Sequence, residues 1–97
     1  MAERGQDEQL LRELEEELKN LKVGDLLVQT LYTVSSLGYR KLAEGDRDLE
    51  QAHLAIEALR ALLPVLEGAA PEELIRDFKQ VTANLQLAYA DAANAAM

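Results

Sequence analysis

DLLVQTLYTVSSLGYRKL, residues 25–42, decides the fold: fourteen of these residues, Leu26 to Tyr39, pass without a charge in a chain that is 29% charged. Val, Thr and Tyr favour sheets, and TLYTV alternates weakly. Length argues the other way. Eighteen residues are too many for an ordinary strand, and the apolar positions recur at three-to-four spacing. The ends also suit a helix, with Asp25 where anions are favoured and Arg40-Lys41 where cations are. Leu27, Leu31, Val34 and Tyr39 line one side, and Leu26, Val28, Tyr32 and Leu37 extend the apolar surface around much of the rest. A helix with so little wet face is expected to be covered on most sides. The small polar residues among them, Gly38 included, let a neighbouring helix approach closely. The uncharged run falls short of the ~20 residues a membrane-crossing helix needs.

Working outward, residues 1–6 read as a disordered tail and 7–97 as a single helical domain. From Asp7 on, Leu11, Leu14, Leu18 and Leu21 fall at spacings of three, four and three, the apolar seam of a short coiled coil. Two heptads are marginal alone, so this helix requires a packing partner from its own chain or from a second copy. Lys22-Val23-Gly24 reads as a break, or as a bend in a continuing helix. The acidic cluster Glu13, Glu15, Glu16 and Glu17 reads as a solvated face.

Ala43-Glu44-Gly45-Asp46 reads as a turn with Gly45 in the left-handed region, and Asp46 or Asp48 caps the next helix. Asp48 followed by Gln51 resembles a capping box. Along that helix Leu49, Ala52, Ile56, Leu59, Leu63 and Leu66 keep an unbroken rhythm, which Ala55 and Leu62 widen. Pro64 removes a donor and crowds the carbonyl of Arg60, predicting a kink or an early stop. Gly68 ends the segment. Pro71 opens a last helix in its first turn, with Glu72 and Glu73 behind it. Its predicted seam is Leu74, Phe78, Val81, Leu85, Ala88 and Ala92. Short connections make successive helices antiparallel neighbours. The fold class is therefore all-α, an antiparallel bundle of three to four helices completed by dimerisation.

The formal charge of −8 excludes a nucleic-acid module, because phosphate binding rests on clustered Lys and Arg. With no cysteine, disulfide and thiolate chemistry are absent, and the cytoplasm is the default compartment. MAERGQDEQ carries charges of both signs and no apolar core, so no secretory leader is expected there. Glu50-x-x-His53 matches the spacing used in di-metal carboxylate bundles. With Leu49, Ala52 and Ile56 facing inward, however, the pair lies on the flank, where His53 meets Glu57. Ser35-Ser36 has no base on its face, and phosphate loops, dinucleotide fingerprints and zinc spacings are missing. No enzyme activity, cofactor or metal is expected.

From about Val23 to Asp91, LLVQTLYTVSSLGY, DLEQAHLAIEALRALLPVL and PEELIRDFKQVTANLQLAYAD follow one another in an order that resembles a bacterial family of small all-helical proteins catalogued only as a domain of unknown function. Pro64 and the short connection Glu67 to Ala70 depart from its pattern. The resemblance implies the fold and brings no activity.

The function expected is that of a self-associating interaction module, a homodimer without nucleic-acid or membrane partners. Leu27, Leu31, Tyr32 and Tyr39 form one candidate interface, and Leu14, Leu18 and Leu21 the other. The alternative is a monomer whose groove holds a small apolar ligand or a partner helix, with a di-metal bundle as the weakest reading.

Overall fold

The computed structural model describes the backbone of residues 2–45 and 47–96, and builds it from four helices. These are α1 (Ala2–Asn20), α2 (Val23–Arg40), α3 (Leu49–Leu66) and α4 (Glu72–Ala96). Helices α2, α3 and α4 pack together, whereas α1 packs against none of the others. The domain expected over 7–97 is therefore a three-helix bundle from Val23 on, with a projecting arm before it. The arm gives the chain extents of 61 × 35 × 16 Å and a radius of gyration of 18.2 Å, where a compact chain of this length would have about 13 Å. Residues 2–6, expected as a tail, are the first turns of α1; Met1 lies outside the described residues.

Two residues separate the arm from the bundle. The Leu21 N–H still donates to the Glu17 carbonyl at 3.1 Å, but Lys22 turns extended, with φ −93° and ψ 140°. The chain therefore breaks at Lys22 and passes through Gly24 inside α2. Gly24 stands beside the Ala69 carbonyl and Gly38 beside Ala55, the register of two helices running in opposite directions. Gly38 also lies beside Leu85, and Tyr32 beside Phe78, so α2 and α4 run parallel on either side of α3.

It is α3, not α2, that forms the centre. Ala52, Ile56, Leu59, Leu63 and Leu66 are all buried, at the rhythm their spacing predicts. Asp48 caps the helix: its Oδ1 accepts from the Gln51 N–H at 3.3 Å. Asp46, the other candidate cap, lies outside the described residues. Pro64 does not stop the helix, because it is exposed and only one turn from the end; the Glu67 N–H closes that turn on Leu63. Gly68 then takes φ +86° and Gly45 φ +92°, the left-handed turns that glycine permits.

Helix α2 buries one face only. Leu31, Ser35 and Gly38 are buried against the core, with Leu27, Val28 and Val34 half-buried beside them. Ser35 resolves its own burial by donating to the Leu31 carbonyl at 2.7 Å. On α4 the buried positions are Ile75, Phe78, Thr82, Leu85 and Ala92. The predicted seam is thus rotated slightly: Leu74, Val81 and Ala88 are half-buried at its edge. Thr82 can serve as a core residue because its hydroxyl donates to the Phe78 carbonyl at 2.7 Å.

Candidate interaction surface

The seam of α1 faces water. Leu11, Leu14, Leu18 and Leu21 are 60, 53, 67 and 46% exposed, and Leu10 beside them is 57% exposed. Their spacing places all four on one stripe, and before the break at Lys22 α1 packs on none of the other described helices. The neighbouring Val23 and Leu26, at the start of α2, are exposed as well. Glu13, Glu15, Glu16 and Glu17 are exposed around the same helix, so the apolar stripe runs between acidic flanks. Full burial of one leucine side chain is worth about 1.5–3 kcal/mol, so a partner covering this stripe has a substantial driving force.

The second candidate surface divides along α2. Leu31 is 0% exposed and packs against its own chain. It is a core residue, not an interface residue, because it lies on the same face as Ser35 and Gly38, pressed against α3. Leu27 is half-buried next to it. Tyr32 and Tyr39 lie on the flank towards α4, at 55 and 42% exposure. The Tyr32 ring meets Phe78 edge-on, with centroids 4.9 Å apart and planes at 62°. Below them a shallow groove of about 310 Å³ opens between α2 and α4, lined among others by Ser36, Leu74 and Val81.

The back of α2, apolar in sequence and expected to be covered, is open. Leu26 and Leu37, half exposed, point roughly opposite Leu31, eleven residues or three helical turns apart. Along this face the polar groups are turned inward on the backbone: Thr30 donates to the Leu26 carbonyl and Thr33 to the Gln29 carbonyl.

The remaining chemistry-bearing residues sit apart. His53 is exposed, 3.8 Å from Glu57 across one helical turn, with the Tyr89 ring 5.8 Å away. Among the described residues no three His, Asp or Glu side chains gather as a metal site would require, and no helix is long and apolar enough to cross a membrane. Lys79 reaches Glu67 at 2.9 Å, a half-exposed ion pair that adds little stability.

No family model, curated protein or solved structure matches the chain.

Proposed function

We propose that this chain is a non-enzymatic, self-associating helical module whose association surface is the leucine stripe of α1. One observation supports this above the rest: a nineteen-residue helix with a coiled-coil seam packs on none of the other described helices. Such a helix is marginal in water by itself, and its stability must come from packing. A second copy offers the same stripe, and a two-fold pairing buries both at once. The bundle from α2 to α4 closes its own core and serves as the body that the arm joins. The expected resemblance to a bacterial family of small all-helical proteins fits this reading and adds no activity to it.

The test is the double variant Leu14→Glu with Leu18→Glu, measured by light scattering on a size-exclusion peak. Wild type runs above 10.8 kDa at high concentration and the variant at 10.8 kDa, with helix content from the bundle retained. A variant that keeps the wild-type mass removes α1 from the interface.

A second reading has its own observation, the groove between α2 and α4 beneath Tyr32 and Tyr39. A monomer that binds an apolar dye in its folded state, and loses that binding with Tyr39→Ser, would favour a small apolar ligand there.

A further inference from the structure

We infer that the leucine stripe of α1 docks on the back of α2 of a second copy, so that two copies exchange arms about a two-fold axis. The inference rests on the reading of α1 as the self-association surface and adds the face that the stripe meets.

The stripe is a poor match for itself. The positions that flank Leu11, Leu14 and Leu18 hold Glu8 and Glu15 on one side and Leu10 and Glu17 on the other. Arg12 and Lys19 stand further round the helix. Whichever way two arms lie together, neither flank brings a cation to the other's carboxylates. The surface that suits this stripe is an apolar strip without carboxylates of its own.

Three exposed apolar strips run along the bundle helices. On α3, Leu54 and Val65 lie eleven residues apart, but the exposed Glu50 and Glu57 share that side of the helix. The groove between α2 and α4 has Asp77 in its wall, and Asp25, seven residues before Tyr32, stands on the same flank. The back of α2 itself carries no carboxylate. Val23, Leu26 and Leu37 are 73, 51 and 50% exposed there, and the charges that bound this face are the exposed cations Lys22 and Arg40.

The same face is prepared for burial. Between Leu26 and Leu37 the hydroxyls of Thr30 and Thr33 already donate to the Leu26 and Gln29 carbonyls, at 2.9 and 3.1 Å, so a covering helix orphans neither. Val23 to Leu37 spans about 21 Å of helix and Leu11 to Leu21 about 15 Å, so the face accommodates the full stripe. Because α1 packs on none of the other described helices, arm and face of one chain are both open, the state from which two copies exchange an element.

Complementation between full-length chains tests the docking. Leu26→Glu with Leu37→Glu blocks the face and keeps the arm, whereas Leu14→Glu with Leu18→Glu blocks the arm and keeps the face. By light scattering at matched concentration, each variant alone should associate at least about tenfold more weakly than wild type. Mixed, the two should recover a species near twice 10.8 kDa, because the intact arm of one lies on the intact face of the other. Thr33→Glu leaves every leucine in place, sets a charge against the acidic flanks of the arm, and should also weaken association. A face variant or Thr33→Glu that associates like wild type, or a mixture with no recovery, overturns the docking and leaves self-association standing. A wild-type chain that stays at monomer mass at every concentration overturns both.

Discussion

A Cβ placed on Gly38 would lie 3.0 Å from the Cβ of Ala55, with the two Leu85 methyls at 3.6 Å. The three bundle helices converge here, and the missing side chain sets how closely α2 approaches α3. Alanine at this position gains about 1 kcal/mol of helix propensity over glycine and must push the Ala55 methyl away by a few tenths of an ångström. Gly38→Ala should therefore change stability little. Gly38→Val has no such offset, and overpacking should lower unfolding free energy by about 1–3 kcal/mol in urea titration. A neutral Gly38→Val would mean that the helices are not held this close.

Leu31 and Leu14 are two leucines of one sequence in opposite settings, 0 and 53% exposed. Leu31→Ala should destabilise the bundle by about 2–5 kcal/mol, the range for a buried leucine that leaves a cavity. Leu14→Ala should leave the cooperative unfolding of the bundle in place and act on mass instead. Chemical denaturation and light scattering on both variants separate the two roles, and the reverse pattern would invert the assignment of core and interface.

Tyr32 joins α2 to α4 through its edge-on contact with Phe78. Such a pair contributes about 0.5–1.5 kcal/mol beyond area, so Tyr32→Leu should cost a fraction of that range to its full extent while leaving the oligomeric state unchanged. If Tyr32→Leu dissociates the protein, the interface lies on α2 and not on α1.

The cap at α3 is open to the same kind of test. Asp48 Oδ1 accepts from the Gln51 N–H at 3.3 Å, and Asp48→Ala should lower stability by about 1 kcal/mol, with Asp48→Asn near neutral. Equal losses for both variants would point to charge rather than the hydrogen bond.

Much of this bundle was legible before any coordinates. The three-four rhythm from Ala52 to Leu66 named every buried residue of α3, and Asp48 with Gln51 named its cap, because periodicity and capping are local. The centre of the bundle was misplaced. Leu26, Leu37 and Tyr39 made α2 look apolar all round, yet an uncharged face is not a buried one, and three helices leave that side open. On α4, Ile75 and Thr82 were overlooked because 74-78-81-85 and 75-78-82-85 are equally regular stripes, and only the position of α3 chooses between them. Of the candidate interface, the exposure of Leu14, Leu18 and Leu21 was foreseeable as a seam in need of a partner. The burial of Leu31 inside its own chain was not, since it depends on which face of α2 meets Ala55.

The most direct measurement is amide hydrogen exchange along α1 at several protein concentrations, with mass recorded on the same samples. A lone helix without tertiary contacts opens readily, and its amides exchange with little protection. If a second copy covers the leucine stripe, protection at the seam of α1 should rise with concentration in step with mass, while the protection of α3 stays constant. Protection of α1 that is the same at every concentration, in a chain that remains at 10.8 kDa, would contradict the account.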